Sequence, residues 1–226
     1  MNNVAEIVNA FLLVYAALFP VVNPVGSAPI FLRLTNRIPK ARLPALARGV
    51  AVNCFVLLLG SLFIGSHVLV FFGITLPVVR IAGGLVVAAF GWQLLQQGDD
   101  IEDREHPGPR STVDAFYPLT MPLTVGPGSI SVAITLGSQR PAAATDLTQL
   151  AVLGGGALAG LLAIAATIYV CYRFASNIIN VLGERGTNVM MRLSAFLLFC
   201  IGIQIIWSGL RSLVPPSAFA SLSLPL

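Results

Sequence analysis

Long apolar runs without a charged residue alternate along the chain with short clusters of charged residues. A helix needs about 20 residues to cross the hydrocarbon core of a bilayer, which is about 30 Å thick, so these runs predict membrane-spanning helices. Six spans are predicted, over residues 7–32, 49–66, 81–97, 115–139, 147–172 and 193–210. The third run continues backward over residues 68–79 across Arg80, and this arginine is predicted to lie about two turns inside a span. The predicted fold class is an all-α integral membrane protein.

The composition of the chain supports the same class. The chain has 226 residues, of which 56% are apolar and only 10% charged, and its mean hydropathy is +0.87. Soluble domains carry roughly 25% charged residues, so the composition argues against a soluble globular enzyme. The net charge of +4 is typical of a multispan protein with basic cytoplasmic loops, and we expect no nucleic-acid partner. The three cysteines lie inside apolar runs without the spacing of metal ligands, so we expect neither a metal site nor a cofactor.

The basic residues predict the orientation of the chain. Five follow the first span, two follow the third and three follow the fifth: Arg33, Arg37, Lys40, Arg42 and Arg48, then Arg104 and Arg110, then Arg173, Arg185 and Arg192. The loops on the opposite side hold Arg140 and Arg211. Because cytoplasmic loops carry the excess of Lys and Arg, both termini are predicted outside the cytoplasm. The acidic stretch 99–105 is interpreted as part of a solvated cytoplasmic linker.

Two predicted spans are interrupted by closely spaced Pro and Gly residues. The first contains Pro20 and the string NPVGSAP over residues 23–29; the fourth contains Pro118, Pro122 and the string TVGPGS over residues 124–129. A proline inside a helix removes a hydrogen bond and clashes with the preceding turn, at a cost of ~3 kcal/mol or more. Within hydrocarbon such a break persists only where it is buried in protein or lines a polar cavity. We therefore predict that spans one and four are broken helices.

The order of the spans predicts an internal repeat. The broken spans open two sets of three, and spans three and six share the similar strings RIA from Arg80 and RLS from Arg192. Since three is odd, the second set crosses the membrane in the opposite sense, as in the inverted repeats of many secondary transporters. Four regions are predicted: a first repeat over residues 1–97, an acidic cytoplasmic linker over 98–114, a second repeat over 115–211 and a surface tail over 212–226.

Three motifs carry a resemblance to a known family: NPVGSAPIFLRLT at residues 23–35, PLTVGPGSIS at 122–131 and RIAGG at 80–84. They resemble the MarC family of bacterial inner-membrane proteins, over nearly the whole chain. The resemblance implies six spans, an inverted repeat and the bacterial inner membrane, so that the termini would be periplasmic. It also implies transport of small neutral amino acids such as alanine and glycine, which some members are described as transporting.

The first motif departs from the family pattern at two positions. Many members begin it with Asp-Pro and place Asn after its glycine, whereas this chain has Asn23 and Ser27. A titrating carboxylate is thus absent from the motif, and the substrate or the coupling chemistry can differ. Neither break contains a carboxylate, which favours a neutral substrate over a cationic one. Energy coupling stays open between Na⁺, H⁺ with Asp114 as the best candidate, and uncoupled exchange.

The two breaks are the predicted substrate site. Half-helices that restart at mid-membrane offer unpaired N–H groups and the positive end of a dipole to a carboxylate. Glycines let backbone approach the ligand, and Ser27 and Ser129 are the predicted N-caps. Carbonyls at the ends of the preceding half-helices, with the Asn23 and Thr124 side chains, would meet the amine. The candidate substrate-binding residues are Asn23, Pro24, Gly26, Ser27, Thr124, Gly126, Pro127, Gly128 and Ser129.

Arg80 and Arg192 are candidates for a gate or a carboxylate contact. An arginine inside a span is costly unless it snorkels, pairs or faces water, and Arg192 is predicted at the edge of span six. Elsewhere structural interpretations are preferred: Gly156 and Gly160 suit close helix packing. Four aromatic residues are predicted to face lipid or the interface: Phe71, Phe72, Trp92 and Trp207.

The leading hypothesis is a secondary transporter of small neutral amino acids that works by alternating access, with the two breaks facing each other. Two alternatives stay open: an exporter or channel for another small solute, and a membrane protein that regulates or binds partners without transport. A membrane enzyme is disfavoured, because the chain has only two histidines and no nucleophile–base arrangement. The expected partners are the substrate, the lipid bilayer and a coupling ion, and the oligomeric state is left open.

Overall fold

The structure, a computed structural model, describes residues 3–96, 114–138 and 147–213. Within these ranges it is helical, without a β-strand, which confirms the predicted all-α class. The helices are α1 (Asn3–Val22), α2 (Pro24–Leu34), α3 (Leu43–Phe63), α4 (Gly65–Phe71), α5 (Leu76–Gln96), α6 (Pro127–Ser138), α7 (Leu147–Arg173) and α8 (Ala175–Leu213). A 3-10 turn, Lys40–Arg42, precedes α3, and a stretch of π-helix that we call the π segment, Leu119–Thr124, precedes α6.

Five helical segments in the described ranges are long and apolar enough to cross a membrane: Val4–Val22, Lys40–Phe63, Leu76–Gln96, Gln149–Arg173 and Arg185–Leu213. They correspond to predicted spans one, two, three, five and six. The fourth predicted span consists of two shorter pieces, the π segment and α6. Both interruptions predicted from Pro and Gly are present, because α1 ends at Val22 and α2 restarts at Pro24.

The predicted backward extension of span three is right for residues 76–79 and wrong for residues 68–75. The latter do not continue α5, because α4 ends at Phe71 and the chain turns at Gly73 before α5 begins at Leu76. Gly73 has a φ of +67°, a backbone conformation that glycine adopts without steric cost. Arg80 therefore lies about one turn inside α5, nearer to the end of the helix than predicted.

The predicted start of span six is also wrong. α8 begins at Ala175, and its two helical stretches meet at Gly183, where φ is 68° and ψ is 175°. Arg192 is thus well inside the second stretch, instead of at its edge. The predicted linker lies outside the described residues apart from Asp114, as does the predicted tail beyond Leu213.

Buried side chains divide the molecule into two bodies. One cluster, which we call the core, joins α1, α2, α3, the π segment, α6 and α7 around residues such as Leu18, Phe31 and Ile168. The other body is the α5–α8 pair, whose helices pack along their length. Glycines bring these two backbones together: a Cβ on Gly91 would lie 2.5 Å from the Phe199 nitrogen, and a Cβ on Gly202 would collide with the Ala88 backbone. The pair is therefore a tightly packed unit.

Each half-helix that follows a break packs against one member of the pair. α2 contacts α8, where a Cβ on Gly26 would lie 2.6 Å from the Ser194 Cβ. α6 contacts α5, where the Ser131 hydroxyl donates to the Val79 carbonyl at 3.0 Å. A Cβ on Gly83 would lie 2.5 Å from the Ser131 Cβ at the same contact. The broken helices thus join the core to the pair.

Two structural predictions for the lipid-facing and packed surfaces are confirmed. A Cβ on Gly156 would lie 2.6 Å from the Ile7 carbonyl, and one on Gly160 would lie 3.0 Å from the Val14 Cβ, so both glycines allow α7 to pack closely on α1. The aromatic residues predicted to face lipid are exposed on the protein surface: Phe71, Phe72, Trp92 and Trp207.

Candidate substrate site

The first break is built around Asn23. This residue has a left-handed backbone conformation, with φ 46° and ψ 56°, which Asn tolerates better than most residues. Its Oδ1 accepts a hydrogen bond from the Gly26 N–H at 3.2 Å, and Pro24 occupies the first helical position, where no N–H is needed. Asn23 is therefore the N-cap of α2. The prediction that Ser27 fills this role is wrong, because Ser27 lies inside the helix.

The second break has a different cap. α6 begins at Pro127, and Val125 before it is extended, with φ −120° and ψ 105°. The Ser129 Oγ accepts from the Gly126 N–H at 3.1 Å and donates to the Gly126 carbonyl at 3.0 Å. Ser129 therefore lies inside the first turn of α6, where its hydroxyl bonds the backbone groups of Gly126. The prediction that Ser129 is the N-cap residue is wrong.

A cavity of about 160 Å³ lies between α2 of the core and the α5–α8 pair. We call it the Arg192 cavity. It brings three predicted site residues, Asn23, Gly26 and Ser27, together with Arg192. The full lining is Asn23, Gly26, Ser27, Ile30, Arg33, Leu34, Phe90, Leu94, Asn188, Met191, Arg192, Ser194 and Leu198. The first break and Arg192 are thus parts of one site.

A second, wider cavity of about 410 Å³ lies between the core helices α1 and α6 and the pair. We call it the Arg80 cavity. Its lining is Ala16, Ala17, Pro20, Val21, Arg80, Ser131, Val132, Thr135, Leu136, Ile201, Gln204, Ile205 and Ser208. Both cavities therefore lie at the interface between the core and the α5–α8 pair.

A thin wall separates the cavities. In the first broken helix, Pro20 and Val21 line the Arg80 cavity, whereas Asn23 lines the Arg192 cavity. In α8, Leu198 lines the Arg192 cavity and Ile201 lines the Arg80 cavity. We call residues 21–23 and 198–201 the wall, which is about one helical turn thick along α8.

The two arginines have different surroundings. Arg80 donates from Nε to the Thr135 Oγ1 at 3.3 Å and from Nη1 to the Ser212 Oγ at 3.1 Å, so it connects α5 with α6 and α8. No hydrogen bond or ion pair joins the Arg192 side chain to a side chain that the structure describes. Its guanidinium, with five N–H donors, is available to a ligand in the cavity.

In the second break Thr124, Gly128 and Ser129 are buried, whereas Pro127 is exposed, and none of them lines either cavity. Thr124 is 3% exposed, and its hydroxyl lies 2.6 Å from the Tyr172 hydroxyl. A Cβ on Gly128 would collide with the Val87 side chain of α5. Phe31 of α2, the half-helix that follows the first break, stacks on the Tyr172 ring with 4.5 Å between centroids. The two breaks therefore meet through Tyr172 in a packed region, and not across one cavity.

Several polar residues of the cavities were not singled out from the sequence. Ser131 and Thr135 of α6, and Gln204 and Ser208 of α8, line the Arg80 cavity. Each pair is spaced four residues apart, which places both side chains on one helix face. Polar residues at this spacing in an apolar helix were the available signal, since polar groups inside spans mark the bundle interior or a cavity.

The cavity linings are suited to an anionic group on a small solute. Each contains an arginine together with hydroxyl or amide side chains, and neither contains an Asp or Glu among its lining residues. In the part of the chain that the structure describes, no three His, Cys, Asp or Glu side chains are placed to hold a metal ion. The donors of these cavities can therefore bind a carboxylate directly.

Comparison with known proteins identifies the family. The model of the MarC family of integral membrane proteins matches residues 8–214. The inner membrane protein MarC of Salmonella typhimurium is 30% identical over 209 residues, which cover 87% of this chain and 92% of that protein. The membrane protein YvbG of Bacillus subtilis is 28% identical over 207 residues, covering 89% and 94%. No solved structure matches the chain. On this family match and its five apolar helices, the chain belongs to the MarC family of integral membrane proteins.

Proposed function

We propose that this protein is a secondary transporter of small neutral amino acids, of the alanine and glycine class, which works by alternating access across the bacterial inner membrane. The observation that carries the proposal is the pair of arginine-containing cavities on either side of one thin wall. The inner-membrane location is supported by the similarity to the inner membrane protein MarC of Salmonella typhimurium. The termini are periplasmic, so that the Arg192 cavity faces the cytoplasm and the Arg80 cavity faces the periplasm.

The six spans form two inverted repeats of three. The helix contacts support this arrangement: α2 packs on α7 and α8, and α6 packs on α3 and α5. A twofold axis that exchanges α3 with α7 and α5 with α8 relates these two sets of contacts. In transporters with inverted repeats, the substrate site lies at the repeat interface near discontinuous helices. The wall between the cavities occupies that position.

Transport requires the α5–α8 pair to move against the core. The pair is tightly packed within itself, whereas the two cavities interrupt its contact with the core. A small rotation of the pair about the wall would narrow one cavity and widen the other. Rigid-body movement of one bundle against another around a fixed site is the usual form of alternating access.

The substrate is held by its two charged ends. Its carboxylate binds the Arg192 guanidinium and the Ser27 hydroxyl. Its ammonium group binds the carbonyl of Pro20, the residue just before the wall, because Pro24 has no N–H to donate to that carbonyl. The Asn23 side chain contributes a further oxygen, although its Oδ1 is already shared with Gly26.

The size and charge of the Arg192 cavity select the substrate. A cavity of about 160 Å³ is several times larger than the roughly 10–15 Å³ that one water molecule requires, so it has room for a small amino acid. A cationic side chain would lie beside Arg192 and Arg33, without an acidic group in the lining. Repulsion between like charges therefore favours a neutral side chain.

Energy coupling does not require a carboxylate in either cavity. Asp114, the predicted proton-coupling candidate, is exposed and accepts a hydrogen bond from the Ala115 N–H at 2.6 Å. It lines neither cavity. We therefore favour Na⁺ held by backbone carbonyls, or exchange of one amino acid for another, over proton coupling.

The test is uptake of radiolabelled alanine and glycine into proteoliposomes, under a Na⁺ gradient, under a proton gradient and in exchange mode. Arg192→Gln removes a charged hydrogen bond worth about 1.5–3 kcal/mol, so we expect the apparent KM to rise roughly tenfold or more. Arg185→Gln is the matched control, because Arg185 is exposed on the same helix and lines neither cavity; its KM should stay unchanged.

Absence of saturable uptake of any small neutral amino acid in all three modes would contradict the proposal and favour a non-transporting membrane protein. Uptake that does not saturate and shows no exchange would instead indicate a channel. An equal loss in Arg192→Gln and Arg185→Gln would contradict the assignment of Arg192 to the carboxylate.

A further inference from the structure

Two arginines line the Arg192 cavity, and they belong to different bodies of the molecule. Arg33 lies in the last turn of α2, which is part of the core, whereas Arg192 lies in α8, which is part of the pair. No Asp or Glu is among the described residues of the lining. No hydrogen bond or ion pair joins either guanidinium to a side chain that the structure describes. The described lining therefore carries two positive charges and no negative one.

The proposed substrate balances only one of these charges. Its carboxylate neutralises one guanidinium, but its ammonium group brings a further positive charge into the cavity. Before the substrate binds, neither arginine has that partner. Arg192 lies within the apolar segment Arg185–Leu213, where an arginine is costly unless it pairs or faces water, and like charges in one cavity repel each other. The cavity without substrate thus attracts an anion from solution.

The other polar groups of the lining suit a small inorganic anion. The hydroxyls of Ser27 and Ser194 line the same space and can donate hydrogen bonds. The Asn23 Oδ1 accepts from the Gly26 N–H at 3.2 Å, so the Nδ2 of the same amide can donate to a ligand. A volume of about 160 Å³ has room for a monoatomic anion with part of its hydration water.

We propose that the Arg192 cavity binds a small inorganic anion such as chloride between Arg33 and Arg192 when no amino acid is present, and that this anion joins the core to the α5–α8 pair. The carboxylate of the substrate displaces the anion, because both use the same donors. Displacement removes one connection between the two bodies that move during transport. This displacement rests on the proposed function, whereas the anion site does not.

The test measures chloride binding to the full-length protein in phosphatidylcholine nanodiscs, from the excess line width of the chloride NMR signal. A bulky sulfonate replaces chloride in the titration, so that the ionic strength stays constant. The wild-type protein should broaden the signal saturably. Arg33→Gln and Arg192→Gln each remove one charged donor, so each should weaken chloride binding roughly tenfold or more. Weakening by Arg192→Gln alone would place the anion on one body and overturn the bridge.

Arg37→Gln and Arg185→Gln are the matched controls. Arg37 follows Arg33 by four residues, and Arg185 lies on the same helix as Arg192; both are exposed, and neither lines the cavity. Each variant should bind chloride within twofold of the wild-type affinity, because exposed charges at a distance are screened by salt. Equal weakening in the controls and in the cavity variants would indicate only a diffuse effect of positive charge, and would overturn the site.

Nanodiscs that contain phosphatidylglycerol test whether a lipid phosphate occupies the arginines instead. We expect chloride binding to weaken only about threefold, because a negative membrane surface lowers the local concentration of anions by about that factor. Helices of the core and of the pair line the cavity, and we expect them to keep lipid headgroups out of it. Complete loss of saturable chloride binding in these nanodiscs would assign the two arginines to lipid headgroups and overturn the proposal.

Addition of amino acids separates the anion site from the proposed function. Alanine should displace chloride and narrow the signal of the wild-type protein, whereas lysine should not. If chloride binds through both arginines but neither alanine nor glycine displaces it, the anion site stands and the proposed substrate is refuted. If the protein transports alanine but shows no saturable chloride binding, the anion site is refuted and the proposed function stands.

Discussion

The Arg192 cavity and the Arg80 cavity have similar positions in the fold, but their arginines differ in hydrogen bonding. Both lie between the core and the α5–α8 pair. The Arg192 cavity is lined by residues of α2, and the Arg80 cavity by residues of α6. Arg80 is engaged by Thr135 and Ser212, while no hydrogen bond or ion pair joins Arg192 to a described side chain. An engaged arginine holds helices together, and an unengaged one can bind substrate. In the proposed transport cycle, this difference gives substrate binding to the Arg192 cavity and mechanical connection to Arg80.

The largest effect among these variants is expected at Gly128, where α6 packs closely on α5. A Cβ there would collide with Val87 and approach the Gly83 carbonyl at 3.3 Å. Overpacking of this kind costs typically ~1–3 kcal/mol, so Gly128→Ala should lower the free energy of unfolding by that amount. Chemical denaturation in detergent micelles measures the difference.

Gly154→Ala is the matched control for Gly128→Ala. Gly154 also lies in a helix, and a Cβ there would meet nothing within 4 Å. Since Ala has a higher helix propensity than Gly by about 1 kcal/mol, this variant should be neutral or more stable. Equal destabilisation by both variants would show that α6 does not pack on α5 as described.

An intermediate effect is expected at Asn23, which belongs to the Arg192 cavity alone. Asn23→Ala removes the N-cap of α2 and places Ala in a left-handed conformation, at a cost of about 1–2 kcal/mol. Asn23→Asp keeps the capping oxygen and should retain most of the stability. Its carboxylate would, however, compete for Arg192, so the apparent KM for alanine should rise.

Thermal unfolding and uptake kinetics separate these two consequences of Asn23 substitution. The account requires a stability loss in Asn23→Ala that is largely absent in Asn23→Asp. If Asn23→Asp were as unstable as Asn23→Ala, the capping bond to Gly26 would not be the reason for the residue at this position.

The smallest effect on stability is expected at Arg80. Arg80→Gln weakens two hydrogen bonds at a partly exposed site, worth below about 1 kcal/mol together. Because Arg80 connects helices and does not bind substrate in this account, the variant should change the maximal rate of uptake and leave the apparent KM within twofold. Arg192→Gln should show the reverse pattern. A rise in KM for Arg80→Gln equal to that for Arg192→Gln would remove the distinction between the cavities.

The sequence predicted the broken helices but not their caps. Pro and Gly in an uncharged span are strong local signals, and both interruptions are present. The choice of Asn23 over Ser27 as the N-cap depends on one left-handed residue. Any of several polar residues near Pro24 could have capped the helix, so local sequence could not distinguish them.

The division into core and pair was not accessible from the sequence. The glycines that join α5 to α8, such as Gly91 and Gly202, do not differ in the sequence from glycines that face open space, such as Gly154. Whether two predicted breaks share a cavity depends on which helix faces meet. Tyr172, which contacts both Phe31 and Thr124, is an ordinary aromatic residue at the end of an apolar run when only the sequence is considered.

The most direct test of the central claim is a reciprocal change in the two cavities when substrate binds. In proteoliposomes, Met191→Cys reports on the Arg192 cavity and Ser208→Cys on the Arg80 cavity, each in a Cys200→Ala background, because Cys54 and Cys171 are buried. Each reporter is labelled with a membrane-impermeant maleimide, with and without saturating alanine, and with lysine as the unmatched amino acid. We predict that alanine slows labelling at Met191→Cys several-fold, changes the rate at Ser208→Cys in the opposite direction, and that lysine does neither. Unchanged rates at both positions in the presence of alanine, or equal responses to alanine and lysine, would contradict the account.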